Sequence, residues 1–378
     1  MKWPDRQRAS RSSLSLLLCI MVLALFAARA SGQQDRTTKE GSGLVWPLPP
    51  DEPKIRYIGA VGGTLDVEKG KGIAGKFVCS NSVDAVQKPY AVDIGENGRL
   101  YVTGKGRALV FDPKSGEYGC LGDTPGAGKL ISPAGIAVSR DNRIFIADIA
   151  AHRVFVYASD GRFARTIGEP DEFDAPSGVV IDEGNKKLYI IDSKKHRVHV
   201  YALDDYKLIR TIGSRGLAEN GKFNFPTNGA VDSKGNLYIV DTGNFRVQVF
   251  DKNGGYVRSL GNIGDVPGSF ARPKGIAVDS EDHLYVVDAA FQNVQIFDAE
   301  GRLLLFFGTG GWGPGYFTLP AGIAVDSDDK IYIVDQWPGN VQVFQYTGER
   351  YQQRQAREME RKEKTAVTKK NSREELKP

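Results

Sequence analysis

A proline-led phrase recurs six times along the chain. It reads Pro89-Tyr-Ala-Val-Asp, Pro133-Ala-Gly-Ile-Ala-Val, Pro176-Ser-Gly-Val-Val-Ile-Asp, Pro226-Thr-Asn-Gly-Ala-Val-Asp, Pro273-Lys-Gly-Ile-Ala-Val-Asp and Pro320-Ala-Gly-Ile-Ala-Val-Asp. Successive copies start 44, 43, 50, 47 and 47 residues apart, the period of four-stranded units that stack as propeller blades. Each unit shows the alternation of short strands and cannot bury both of its faces alone. Six of them in a ring bury a continuous core and leave no long open edge. The expected fold is therefore all-β, a six-bladed propeller of four-stranded blades over residues 54–346.

Blade 4 shows the pattern most clearly. An inner strand around Gly229–Asp232 turns through Ser233-Lys-Gly-Asn236 into Leu237–Asp241, then Val247–Asp251, then an outer strand near Tyr256–Gly261. Outer strands end in a short signature: Arg165-Thr-Ile-Gly168, Arg210-Thr-Ile-Gly213, Arg258-Ser-Leu-Gly261, Leu305-Phe-Phe-Gly308 and, more loosely, Gly119-Cys-Leu-Gly122. The sixth blade has no such ending, whereas Arg56-Tyr-Ile-Gly59 stands ahead of the first. An N-terminal strand is thus expected to complete blade 6 and close the ring.

The ends have other characters. A basic start and the apolar run Leu14–Ala28, followed by Ala28-Arg29-Ala30, read as a cleaved export signal over residues 1–30. No transmembrane segment is expected after its removal, and the destination is periplasmic or extracellular. Residues 31–53 form a leader whose first part, 31–43, looks disordered and whose stretch Trp46–Pro53 reads as extended. Residues 347–378 form a charged tail without an apolar stripe, a solvated helix or a disordered basic arm. From Arg350 onward that tail holds ten basic and five acidic residues, while residues 31–349 hold 35 basic and 40 acidic. No concentrated basic face exists for a phosphate backbone, which argues against nucleic acid. The tail offers weak attraction to an anionic surface. Cys79 and Cys120 remain after signal removal and could bridge in an oxidising compartment; their proximity is not readable from sequence.

The repeats resemble NHL repeats, here of the secreted bacterial type, across residues 55–345. The Pro-x-Gly-Ile-Ala-Val-Asp phrase, Leu237–Asp241 and Asn244-Phe-Arg-Val-Gln-Val-Phe250 carry the resemblance. It implies a six-bladed propeller and leaves function wide, from protein-binding modules to RNA binders and a peptide-amidating lyase. The lyase carries its zinc on histidines just after the blade proline. The matching positions here are Tyr90, Ala134, Ser177, Thr227, Lys274 and Ala321, none of them histidine.

Residues that recur at one phase read as scaffold. This applies to Asp148, Asp192, Asp241, Asp288 and Asp335, which approach the face we call the top and are expected to accept hydrogen bonds from loops. It also applies to Phe173, Phe223, Phe270 and Phe317. His152 and His196 occupy matching top loops and are the only metal-ligand candidates among the histidines; two do not make a zinc site. No catalytic residue and no cofactor is predicted, although a calcium or zinc ion on ligands scattered around the channel stays open. Aromatics that break the repeat, Phe245, Phe291, Trp312 and Trp337, suggest a binding surface on the top face of blades 4 to 6. The expectation is an exported interaction module for a protein, peptide or cell-wall ligand. The alternative is a metal-dependent lyase or hydrolase with its site at the central channel.

Overall fold

The structure, a computed structural model, describes residues 43–62, 77, 79 and 87–374. The export signal, the expected disorder through residue 42 and most of the 60–88 loop lie outside the described residues.

Six antiparallel sheets are arranged as blades within the compact unit 41–378. Blade 1 comprises Val92–Ile94, Leu100–Gly104, Arg107–Asp112 and Glu117–Leu121; blade 2 comprises Pro133–Val138, Ile144–Asp148, Arg153–Tyr157 and Phe163–Ile167. Blade 3 holds Pro176–Asp182, Lys187–Asp192, Arg197–Ala202 and Leu208–Ile212; blade 4 holds Pro226–Val231, Leu237–Asp241, Arg246–Phe250 and Tyr256–Leu260. Blade 5 holds Pro273–Val278, Leu284–Asp288, Asn293–Phe297 and Leu303–Phe307. Blade 6 joins Pro320–Val325, Lys330–Asp335 and Asn340–Tyr346 to Ile55–Gly62 from the N-terminal side.

Local chemistry explains the strand pattern. Second strands such as Leu237–Asp241 and Leu284–Asp288 are buried along their whole length, because a blade interior is covered on both faces by its neighbours. Turns between first and second strands are held by an aspartate at the strand end. In blade 4 the Asp232 carboxylate accepts the N–H groups of Lys234 (3.0 Å) and Asn236 (2.8 Å), an Asx turn. The glycine of the blade phrase is a close-approach residue: a Cβ on Gly322 would lie 2.6 Å from the Tyr90 carbonyl oxygen of blade 1. Blade 6 thereby abuts blade 1 around the axis.

The closing strand departs from its expected register. Arg56-Tyr-Ile-Gly59 matches the outer-strand signature in letters, yet Ile58 is exposed and the strand runs on to Gly62. In blades 3, 4 and 5 the buried residue before the terminal glycine pairs with the first valine of the third strand, as Leu260 does with Val247. In blade 6 the residue that pairs with Val341 is Val61. The functional signature is therefore Ala60-Val-Gly62, three residues later. Pairing of Tyr57 with Phe344 and a bulge before Gly59 set this register.

Trp46–Pro53 is not a free extended leader either. Val45–Trp46 pairs with Ile55–Arg56 as a fifth strand of blade 6, and the Trp46 ring packs 5.9 Å from Phe307 and 5.8 Å from Phe344. Cys79 and Cys120 form a disulfide with Cα atoms 4.9 Å apart. It ties residue 79 to the outer strand of blade 1, where Cys120 N–H also reaches the Phe77 carbonyl at 2.8 Å. The C-terminal segment forms helix α1, Glu349–Glu374. Its first turns meet blade 6 through Arg354, 3.2 Å from the Asp328 carboxylate, and most of its residues through 365 are exposed. No helix among the described residues is long and apolar enough to cross a membrane.

Phe344 is fully buried and meets four rings from four segments: Trp46, Tyr57 (5.4 Å), Phe307 (5.0 Å) and Phe317 (6.0 Å). Phe344→Ala is expected to cost about 3–5 kcal/mol in urea unfolding. Phe306→Ala, on the exposed outer strand of blade 5, should stay within about 0.5 kcal/mol of wild type.

Candidate functional site

The top face is built by two kinds of loop. One leads from the outer strand of a blade to the inner strand of the next; the other joins second and third strands. The recurring aspartate at the end of the second strand in blades 2 to 6 ties these loops to the scaffold. Asp148 accepts the N–H groups of Ile131 and Ser132 from the lead-in loop and of Ala150 and Ala151 from the other. Asp288 does the same with Ala271, Arg272, Ala290 and Phe291. Asp335 takes Thr318 and Leu319, and Asp192 takes Asp174, Ala175 and Lys195. Asp241 adds a buried ion pair with Arg246 at 3.0 Å. All five are essentially inaccessible, so their oxygens are occupied by the scaffold.

Sequence reasoning missed a second latch. Gln248, Gln295 and Gln342 of the third strands each accept an N–H from the lead-in loop and donate to a carbonyl beside it. Gln342, for example, joins Gly315 N–H at 2.9 Å and the Tyr316 carbonyl at 2.6 Å. Their recurrence in blades 4 to 6 was the available signal. Blade 3 carries His199 there, edge-on to Phe173 at 5.0 Å and with both ring nitrogens unpartnered. Burial holds its pKa below the ordinary histidine value.

Rigid loops present variable tips. Trp312, on the lead-in loop of blade 6, and Trp337, between its second and third strands, meet edge to face with centroids 6.0 Å apart. They remain 66% and 56% exposed. Phe245 and Phe291 do not join them as an open patch. Phe245 is half-buried against the core between blades 4 and 5, and Phe291 is half-buried. The two phenylalanines are not even equivalent: Phe245 holds the left-handed position (φ 54°) shared with His152, His196 and Gln292. Other exposed apolar tips do extend the surface: Leu217, Phe225, Ile263, Val266, Tyr316 and Leu319. All belong to loops leading into blades 4 to 6. The corresponding described loops of blades 1 to 3 expose Ile131 as their one large hydrophobic residue.

His152 is exposed, whereas His196 is buried; its Nδ1 accepts the Phe225 N–H at 3.1 Å and its ring lies 4.7 Å from that of Phe225. Burial, followed by Arg215, lowers the His196 pKa, which keeps the ring neutral and able to accept that bond. Among the described residues, no group of three His, Cys, Asp or Glu side chains could hold a metal ion.

The six inner strands enclose a central bore of about 290 Å³, lined mainly by Ile, Val, Ala and Gly. Asp93 is its one charged lining residue. The opening phrase Pro89-Tyr-Ala-Val-Asp reads as ending on the usual turn aspartate, but four residues after the proline every other blade has Ala or Val. Asp93 therefore stands in the wall, where its carboxylate accepts the Val138 N–H of blade 2 at 2.7 Å and the Ile94 N–H at 2.9 Å. No cation pairs with it among the described residues. Enclosure by protein pushes its pKa up to about 6, against the pull of those two N–H groups.

A family described as 6-bladed beta-propeller matches residues 130–215, 230–290 and 280–371, more than half of the chain. The chain belongs to this 6-bladed beta-propeller family. Protein brain tumor of Drosophila melanogaster is 26% identical over 162 residues, 42% of this chain and 14% of that protein. NHL repeat-containing protein 3 of Mus musculus is 28% identical over 181 residues, 42% of this chain and 50% of that protein. The chain thus spans about half or less of the length of these curated relatives. Among solved structures, an auxiliary nutrient binding protein from Bacteroides thetaiotaomicron is similar with a TM-score of 0.55 and 15% identity, covering 70% of this chain and 71% of that one. A virginiamycin B lyase from Staphylococcus aureus gives 0.50 and 17%, covering 67% and 79%. At such identities the likeness is one of fold. A 6-bladed beta-propeller with NHL-repeat relatives is an interaction module at the coarsest level.

Asp93 is the point where this propeller departs from its own repeat inside the bore. A carboxyl whose folded pKa is raised favours folding while protonated, below its ordinary value of 3.8, and loses that advantage as pH rises through about 6. The shift is worth about 1–3 kcal/mol, the lower end allowing for solvent screening of a partly accessible group. Asp93→Asn should therefore unfold at higher urea than wild type at pH 7 and match it near pH 3.5. A variant less stable at pH 7 would reverse the assignment.

Proposed function

We propose that the chain is an exported binding module whose top face over blades 4 to 6 engages a protein, peptide or cell-wall ligand. The observation that carries this reading is the set of exposed apolar tips on the loops leading into blades 4 to 6, centred on the Trp312–Trp337 pair. Scattered single hydrophobics are ordinary on a surface. A set of them gathered, among the described residues, mainly on the loops leading into blades 4 to 6 is a surface suited to contact. Tryptophan is also the side chain most often found to dominate a binding interface. The export signal read in residues 1–30 supports a periplasmic or extracellular setting, and the disulfide accords with an oxidising one. Helix α1 carries exposed basic side chains, Arg357 and Arg361 among them, and would add attraction to anionic surfaces, weakened by salt.

Crosslinking capture from the native envelope, comparing wild type with Trp312→Ala/Trp337→Ala, tests the surface. Both proteins must first show equal unfolding midpoints, as expected for exposed residues. The expected result is a partner captured by wild type and lost, or at least tenfold depleted, with the variant. Identical captures would sink the aromatic site. For the tail, truncation after Arg357 keeps the Arg354 contact and should reduce retention on anionic vesicles at low salt; unchanged retention would remove the tail from the proposal.

A further inference from the structure

Closure of the ring leaves one kind of edge behind. The outer strand of a blade ends its sheet, so its far side carries backbone N–H and C=O groups with no partner inside the blade. Among the described residues, two of these edges are covered by the chain itself. Val45–Trp46 pairs with the outer strand of blade 6. In blade 1 the Phe77 carbonyl accepts the Cys120 N–H at 2.8 Å, and the disulfide holds Cys79 to the same strand. Blades 2, 3 and 4 instead place an arginine at mid-strand, Arg165, Arg210 and Arg258, followed by Thr166, Thr211 and Ser259. A charge at that place guards an edge against pairing with another chain.

Blade 5 has neither device. Its outer strand reads Leu303-Leu-Leu-Phe-Phe307, with Leu305 and Phe306 where blades 2 to 4 have arginine and a hydroxyl residue. Among the described residues its one sheet neighbour is the third strand of its own blade, and no other segment makes a backbone hydrogen bond to it. Leu303 and Leu305 pack on the cores to either side of the blade, whereas Leu304 and Phe306 are 52% and 46% exposed. The nearest charge, Arg302, is held by Asp298 at 2.6 Å within the preceding turn. Residues 31–42, which lead into the strand that caps blade 6, contain no large apolar side chain and are ill suited to cover this strip. A row of unpaired backbone groups calls for an extended chain, and the exposed leucine and phenylalanine call for apolar side chains on it.

We propose that the outer edge of blade 5 binds an extended apolar segment of a partner protein as a fifth strand, as Val45–Trp46 is added to blade 6. Main-chain hydrogen bonds to Leu303–Phe307 hold the segment, and Leu304 and Phe306 select its side chains. Its central residues are uncharged, because Leu304, Leu305 and Phe306 offer no counter-charge. The site is a strand edge and does not rest on the tryptophan pair of the top loops.

The probe is a phage-displayed library of random octapeptides, selected on the purified wild-type protein and counter-selected on Phe306→Thr. That variant gives blade 5 the residue found in blades 2 and 3. Both it and Leu304→Lys change exposed side chains, so their unfolding midpoints should match wild type. The expected peptides carry apolar residues at alternate positions and no charge at their centre. Synthesised, they should bind Leu304→Lys at least tenfold more weakly than wild type. Methylating their alternate backbone nitrogens should abolish binding in one of the two possible registers, because strand addition needs those N–H groups. Trp312→Ala/Trp337→Ala should bind them as wild type does, which separates this edge from the top face. A selection that enriches nothing overturns the proposal. So do peptides indifferent both to Leu304→Lys and to methylation in either register. Sedimentation decides the remaining occupant: a wild-type dimer that Phe306→Thr dissociates would assign the edge to a second copy and overturn the proposal as well. If Leu304→Lys fails to fold, the methylated peptides decide.

Discussion

Every blade leans on two neighbours, and the ring stands because Ile55–Gly62 pairs with Asn340–Tyr346. That pairing joins segments from opposite ends of the chain and removes the only edge where the stack could open. It also brings Trp46 and Tyr57 onto Phe344, so the closing blade has an aromatic core drawn from both ends of the ring. The position of each top loop follows from this closure, since an open ring would let adjacent blades rotate apart.

On the closed ring, two buried polar devices stiffen the top face. Aspartates clamp the two loop types of a blade to one another, and glutamines latch the lead-in loops of blades 4 to 6. Both satisfy backbone groups that burial would otherwise leave costly. The loops thus have little freedom at their bases while their tips stay free to vary. This division explains why the recurrent carboxylates are occupied by backbone N–H groups and why distinctive groups appear where the repeat breaks: Trp312 and Trp337 at the rim, Asp93 in the bore.

The repeat made the architecture legible and, in three places, its letters misled. Arg56–Gly59 copies the outer-strand ending, but the aromatic pairing of Tyr57 with Phe344 slides the working signature to Ala60–Gly62. Asp93 looks like a turn aspartate, yet its distance from Pro89 puts it in the channel wall. Phe245 and Phe291 look like neighbours of one patch, although they sit one position apart in their loops. In each case a similar residue type concealed a shift of register, and in strands a shift alters which face a side chain meets. The Trp312–Trp337 pair was legible because neither residue has a counterpart in another blade. Phe225, directly before a blade proline, was overlooked because that position varies and no single blade marks it as exposed.

The sequence by itself determined the number of blades, the strands within them, the dependence of closure on an N-terminal strand and the scaffold role of the recurring aspartates. These follow from period, alternation and recurrence, which are properties of the chain read along its length. Only the tertiary structure decided the register of the closing strand, the Cys79–Cys120 bond, the fifth strand at Trp46 and the gathering of apolar tips over blades 4 to 6. These depend on distances between residues of different blades, and burial and charge act through such distances, not through spacing along the chain.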